Sequence, residues 1–252
     1  MSKNVPKVLR SAVLLLNHFG MGITVASLIL EHFFTRTVRL DGFATEMIID
    51  PWSKWVMVGI VMMMAGAVGL MFIAPRPSGK KQFVRILAWV VPLAAAFLCI
   101  TLRKIGPFVN NPNPSLRSPY FAPHVVMYMF AYSLLAAATV TSVIQLVKGD
   151  GAEKQLAMLD WLVYAGVAFF TIGMLLGAIW AKEAWGTYWN WDPKETWALV
   201  TWGCYLVYLH MRKAAPRRWR AACLILLIGF LCLQMCWWGV NYLPSASIHS
   251  YN

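Results

Sequence analysis

Residues 185–195 read WGTYWNWDPKE. Trp185, Tyr188, Trp189 and Trp191 place their rings within seven residues, and Asp192 and Glu195 set two acids beside them. Rings this dense normally belong to a core, yet this stretch is too polar to lie in one. The combination describes an apolar shelf with charged corners, suited to a planar macrocycle whose face is apolar and whose edge carries charge. The chain also has five histidines, His18, His32, His124, His210 and His249. Imidazole is a good ligand for iron and other first-row metals, so these are the residues that could hold a metal at the centre of such a ring. His124 follows Pro123 at the mouth of an apolar run, and His249 lies in the C-terminal tail. Read singly, each is as well explained as a polar residue near a helix end.

The elements that must position these groups are membrane spans. The chain of 252 residues is 60% hydrophobic and 13% charged, whereas soluble domains run nearer half apolar and a quarter charged. About 20 consecutive apolar residues cross a bilayer as a helix. Seven runs qualify, at roughly 11–30, 55–74, 84–102, 124–147, 159–180, 196–210 and 221–241. The sixth is short enough to be tilted, broken or lengthened at its start. The fold class is all-α, a polytopic helical membrane protein. The connections are about two dozen residues or fewer, which leaves a single integral membrane domain over 1–252.

The net charge of +12 raises the question of nucleic acid, and its distribution answers it. With the N-terminus cytoplasmic, alternating loops put 14 of the 22 Lys and Arg inside and 8 outside, as the retention of basic loops on the cytoplasmic side requires. The run HMRKAAPRRWR (210–220) is the strongest part of this orientation signal. The C-terminus then emerges outside, together with 31–54, 103–123 and the tryptophan-rich segment 181–195. No small-residue cleavage site closely follows the first run, so it reads as an uncleaved helix. The five cysteines lie within predicted spans and include no CxxC and no CxxCH. They read as small apolar core residues, with neither a zinc ribbon nor covalently attached haem.

Interfacial belts account for Trp52, Trp55, Trp89, Trp161 and Trp219, because the amphipathic indole favours headgroup depth. They do not account for Trp180, Trp185, Trp189, Trp191, Trp197 and Trp202, six of the chain's 13 within 23 residues. That density implies a wall. If 185–191 is helical, Trp185 and Trp189 share a face and Trp191 points elsewhere. Pro193 is suited to the first turn of the next helix.

The stretch WGTYWNWDPKETWALVTW resembles the tryptophan-rich WWD segment of the haem-handling membrane proteins of cytochrome c biogenesis, most closely the CcsA/ResC type of system II, which is related to CcmC. SPYFAPHVVMYMFAY (118–132) and the tail HSYN (249–252) resemble two further stretches of that family, in the same order. Together they cover about 118–252. The resemblance implies a non-covalent haem b with His124 and His249 as its axial ligands. It would rest on Trp185, Trp189 and Trp191, with Gly186, Asp192 and Glu195 in the same segment. It also implies that His210 serves an intramembrane haem.

His18 is an ionisable residue within a span, which makes it a functional candidate by default. It would lie at a depth similar to His210, and either His18 or a histidine of a partner chain would be the second ligand there. His32, fourteen residues on, would lie about 21 Å further along the same helix. The resemblance further implies the haem-binding subunit of a cytochrome c synthase in the cell inner (cytoplasmic) membrane, its working face outward. Such a subunit moves haem across the membrane and presents it to the two thiols of a CxxCH apocytochrome c. It works with a CcsB/ResB-type membrane partner, whose large outer domain has no counterpart here. Two other functions compete with this one. One is a CcmC-like carrier that passes haem to a separate chaperone. The other is a b-type electron-transfer cytochrome; His18 and His32 on one helix suit it, but a two-haem cytochrome b wants a second helix with a matching pair, which this sequence lacks.

Overall fold

The computed structural model of the protein describes residues 118–149, 151 and 153–242, with scattered positions between 12 and 62. The first three spans fall largely outside the described residues, as do His18, His32, His249 and the tail. The chain divides into two compact units, Met1–Ile73 and Ala74–Asn252. In the first unit the described positions are helical. There Thr24 donates its hydroxyl to the Gly20 carbonyl at 2.8 Å. A methyl on Gly59 would lie 2.8 Å from that same carbonyl, so this glycine lets two helical stretches approach backbone to backbone.

The second unit carries four long helices: α1 (Phe121–Lys148), α2 (Glu153–Trp185), α3 (Pro193–Ala214) and α4 (Trp219–Trp237). Short 3-10 turns at Pro216–Arg218 and Gly239–Tyr242 flank α4. No strand occurs among the described residues. The helices alternate in direction. The principal contacts are α1 with α2, α3 with α4, α1 with α4, and α2 with α3, which is an up-and-down bundle. One end of it gathers 118–124, 180–195 and 236–242, and is called here the tryptophan end. The opposite end gathers 148–160 and 208–220, and is called the arginine end.

Three described helices are long and apolar enough to cross a membrane: Phe121–Lys148, Glu153–Trp185, and Pro216–Trp237 with its leading 3-10 turn. They correspond to the fourth, fifth and seventh sequence runs. The sixth run is a helix, longer than its apolar stretch at both ends. It opens on PKET and closes on RK, and its tyrosines and Thr201 turn inward, which keeps its mean hydropathy below that of its neighbours. At 1.5 Å per residue α2 is about 50 Å long, against a hydrocarbon core of about 30 Å. Its length therefore exceeds what an upright crossing of the hydrocarbon core requires.

Glycines decide how tightly α1 and α2 meet. Gly166, Gly173 and Gly177 lie along one face of α2. An added methyl would meet Leu135 at 2.6 Å from Gly166, Tyr128 at 3.3 Å from Gly173, and His124 at 2.5 Å from Gly177. Small residues at such a crossing let two helices gain dispersion contact where no hydrophobic force separates protein from lipid. Most polar side chains inside the apolar span are satisfied locally, while Gln145 Oε1 and Tyr205 Oη are buried without a partner. Ser133, Thr139, Thr141, Thr171 and Thr201 each donate to the carbonyl four residues back at 2.7–2.8 Å. Between helices, Trp202 Nε1 donates to Thr171 Oγ1 at 2.8 Å, Ser142 donates to the Cys223 carbonyl at 3.2 Å, and Gln234 bonds the Tyr132 hydroxyl.

Candidate functional site

The tryptophan end is built from three pieces: the first turn of α1, the last turns of α2, and the link between α2 and α3. The link begins where α2 stops. Gly186 takes a left-handed φ of 82° and its N–H returns to the Lys182 carbonyl at 3.0 Å, the usual glycine termination of a helix. Residues 186–192 are therefore not helical, and the shared face of Trp185 and Trp189 that a helix would give is not formed. The link ends at a capping box. Asp192 accepts from the Lys194 N–H at 2.8 Å, and Glu195 Oε2 accepts from the Asn190 and Asp192 N–H groups at 2.8 and 3.2 Å. Pro193 opens α3. Both carboxylates are buried and committed to the backbone of this link, so their charge reaches the shelf by holding its shape.

The link is pinned at further points. Thr187 Oγ1 donates to Asn190 Oδ1 at 2.7 Å, and Lys182 Nζ lies 5.0 Å over the Tyr188 ring. Within this frame Trp191 holds a φ of 56° and remains 42% exposed. A left-handed conformation costs an L-residue about 1–2 kcal/mol, and an aromatic residue pays it only when its surroundings impose it. Trp189 stands 6.1 Å from Trp191, edge on, at 84°. Its Nε1 is buried with no hydrogen-bond partner. A buried, unanswered N–H costs roughly 1–3 kcal/mol.

His124 sits on the other side of this end, in the first turn of α1. Its Nδ1 lies 2.7 Å from the Gly173 carbonyl of α2. A carbonyl can only accept, so Nδ1 carries the proton and the lone pair of the neutral ring is on Nε2. Trp180 stacks on the ring at 5.7 Å and 30°, and Tyr128 meets it edge on at 4.8 Å. Trp180 in turn packs against Phe121 at 5.1 Å and Trp185 at 4.8 Å. A continuous run of rings thus joins His124 to Trp185. Ser118 closes the outside of this group by donating to Glu183 at 2.5 Å.

The family model described as Cytochrome C assembly protein matches residues 52–248. The chain belongs to this family. The cytochrome c biogenesis protein CcsA of Manihot esculenta is 32% identical over 228 residues, 87% of this chain and 64% of that protein. CcsA of Acorus calamus is 33% identical over 245 residues, 93% of this chain and 68% of that protein. CcsA of Chlamydomonas reinhardtii is 37% identical over 183 residues, 68% of this chain and 52% of that protein. The chain thus spans between half and two thirds of the length of these relatives. The resemblance read from the tryptophan segment is the correct one, and the family match extends it back to residue 52.

Of the residues predicted for the site, Trp185, Gly186, Trp189, Trp191, Asp192, Glu195 and His124 gather at the tryptophan end. His249 and His18 lie outside the described residues. His210 is at the arginine end, exposed, with Nδ1 on the carbonyl of Leu206 in its own helix at 2.7 Å. The predicted wall of six tryptophans divides. Trp202 is buried between α2 and α3, and Trp180 is 2% exposed and supports His124. Trp185, Trp189 and Trp191 retain partial exposure.

Trp180, which sequence reasoning counted only as part of the wall, forms the site's support with Gly173, Gly177 and Tyr128, which were not among its predicted residues. One signal for them was present. GMLLG (173–177) is a GxxxG pair within an apolar run, and such pairs mark close helix approach. The residues present fit haem. His124 carries its proton on Nδ1, which leaves Nε2 as the ligating nitrogen, Trp180 stacks on the ring, and Trp189 carries a buried N–H without a partner.

Proposed function

We propose that this chain is the haem-binding subunit of a system II cytochrome c synthase. In this reading it carries haem b across the membrane and presents it for thioether attachment to a CxxCH apocytochrome c, together with a CcsB/ResB-type partner. The observation that carries the reading is the His124 ring at the tryptophan end, held by Gly173 with its lone pair on Nε2. The family relationship supports the biogenesis context.

Haem supplies the vinyl groups to which the apocytochrome thiols add. Each addition forms one C–S bond and moves the thiol proton to vinyl carbon. The chain's own task is positioning, which can supply a large part of a barrier when reacting groups are pre-arranged. His124 and His249 would hold the metal. Trp185, Trp189 and Trp191 would exclude water from the apolar face of the ring, and Trp189 Nε1 could donate to one of its carboxylates. Asp192 and Glu195 keep the link folded. On this reading the tryptophan end faces outward, and His210 with the basic run 210–220 meets incoming haem at the cytoplasmic face, with His18 as a second ligand there.

The test is co-expression of the full chain with the partner and a CxxCH apocytochrome. Covalent haem on the apocytochrome, lost in His124→Ala and His249→Ala, is the outcome required. Reversible haem loading without thioether formation would instead identify a carrier that serves a separate chaperone. A stable haem reduced by quinol without transfer would identify an electron-transfer cytochrome. Colourless protein in the presence of excess haem would end the reading altogether.

A further inference from the structure

The His124 ring occupies a notch in α2. Two features of α2 make the notch, and they are four residues apart. The Gly173 carbonyl, already the acceptor for the N–H four residues on in a regular helix, has a second lone pair directed at His124 Nδ1, 2.7 Å away. Gly177 supplies the space through which the ring reaches that carbonyl. A methyl there would stand 2.5 Å from His124 Cε1 and 2.6 Å from Nδ1, closer than carbon and nitrogen can pack. The ring is also bounded by Trp180 on one face and Tyr128 at its edge. Trp180 is itself locked between Phe121 and Trp185. The ring plane is thus set by α2 and its aromatic neighbours.

We infer that Gly177 and the Gly173 carbonyl are a seat that fixes the tautomer and plane of His124 before any metal is bound, which makes Gly177 a positioning residue for iron ligation. A histidine that ligates a metal commonly gives its other N–H to a carbonyl or carboxylate, and loss of that partner typically costs about 10–100-fold in metal affinity. The statement about iron rests on the proposed function. The statement about the tautomer does not.

Gly166 provides the control. A methyl there would meet Leu135 Cδ2 at 2.6 Å, a clash of the same size on the same face of α2, without contact to His124. The experiment uses the full chain in detergent as wild type, Gly177→Ala, Gly166→Ala and His124→Gln. Histidine nitrogens are labelled with 15N and the protein is kept free of haem. The resonance lost in His124→Gln identifies His124. An Nδ1-protonated ring is the wild-type result, unchanged in Gly166→Ala and lost in Gly177→Ala. The same proteins are then supplied with haem. Gly177→Ala retains about tenfold less and moves from a low-spin toward a high-spin absorption spectrum, while folded Gly166→Ala keeps the wild-type spectrum. An Nε2-protonated His124 in the wild type overturns the seat, and this holds even if Gly177→Ala fails to accumulate. An unchanged tautomer in Gly177→Ala overturns it as well. A wild type with the Nδ1 tautomer that takes up no haem overturns the functional reading and leaves the seat standing.

Discussion

The two ends of the bundle solve opposite problems. At the arginine end, polar side chains answer one another across helices. Asp160 of α2 accepts two bonds from Arg212 of α3, at 2.8 and 2.9 Å, and a third from the Tyr208 hydroxyl at 2.6 Å. Arg212 also donates to the Pro216 carbonyl at 3.1 Å, and Arg220 reaches back to the Gly149 carbonyl. At the tryptophan end a seven-residue link keeps an exposed indole in a left-handed conformation and leaves a buried indole N–H unanswered. Strain and unsatisfied donors persist only where the surrounding structure imposes them, and they concentrate where a ligand is received. One end fastens the helices; the other holds a strained, exposed indole beside a buried, unpaired indole N–H. The described histidines repeat the contrast. His124 and His210 make Nδ1 bonds of equal length, 2.7 Å. His210 bonds a carbonyl of its own helix, and His124 bonds one of a neighbouring helix. The orientation of His210 is a local matter, and that of His124 exists only when α1 and α2 are packed.

The comparison can be broken or sharpened by substitution. The largest effect belongs to the fastening end. Asp160→Ala leaves the mostly buried Arg212 without its carboxylate and costs on the order of 3 kcal/mol, read as thermal stability in detergent. Haem retained per folded molecule stays at the wild-type level. A matching loss of haem in the folded fraction would mean that the two ends are not separable. Gly186→Ala comes next, at about 1–2 kcal/mol, because an alanine must hold φ at 82°. No atom lies within 4 Å of the new methyl, so the loss comes from backbone conformation and Gly186→Asn recovers part of it.

Trp191→Gly is the most discriminating substitution, since its two readouts move in opposite directions. Relief of the left-handed strain raises stability by up to about 1 kcal/mol, while loss of the exposed ring speeds haem dissociation. A variant that loses stability would show that Trp191 is held by packing and not displayed at a cost. The smallest effect is that of Trp189→Phe, which keeps a ring and removes the unanswered N–H. Removal of the unanswered N–H offsets the burial lost with the smaller ring, so its stability changes by less than about 0.5 kcal/mol, and its haem dissociates about tenfold faster. That rate difference disappears for a haem whose propionates are esterified.

Much of the fold was legible because lipid imposes length and composition on any helix that crosses it. The fourth, fifth and seventh runs appear as helices long and apolar enough to span, and Pro193 opens α3 as its position implied. The site was legible as a cluster, since three tryptophans in seven residues are visible without a structure. The roles within the cluster were not. Asp192 and Glu195 read as charged corners of the shelf, although Asp-x-x-Glu ahead of an apolar run is also a capping-box signature, and the backbone of residues 190–194 shows them in that role. Trp180 counts with the other indoles until its burial between Phe121, His124 and Trp185 separates it from them.

The sequence by itself determined the solvent of this protein, because 60% hydrophobic residues in span-length runs leave most of the chain no stable place but a bilayer. It also determined the family, because the tryptophan segment and its flanking motifs are read residue by residue. Which tryptophans are displayed and which are buried was decided only by tertiary structure, and so was the nitrogen of His124 that carries the proton. The second depends on how closely α1 approaches α2, which the absence of a side chain at Gly173 and Gly177 permits, and its consequence appears only when the facing helix is in place.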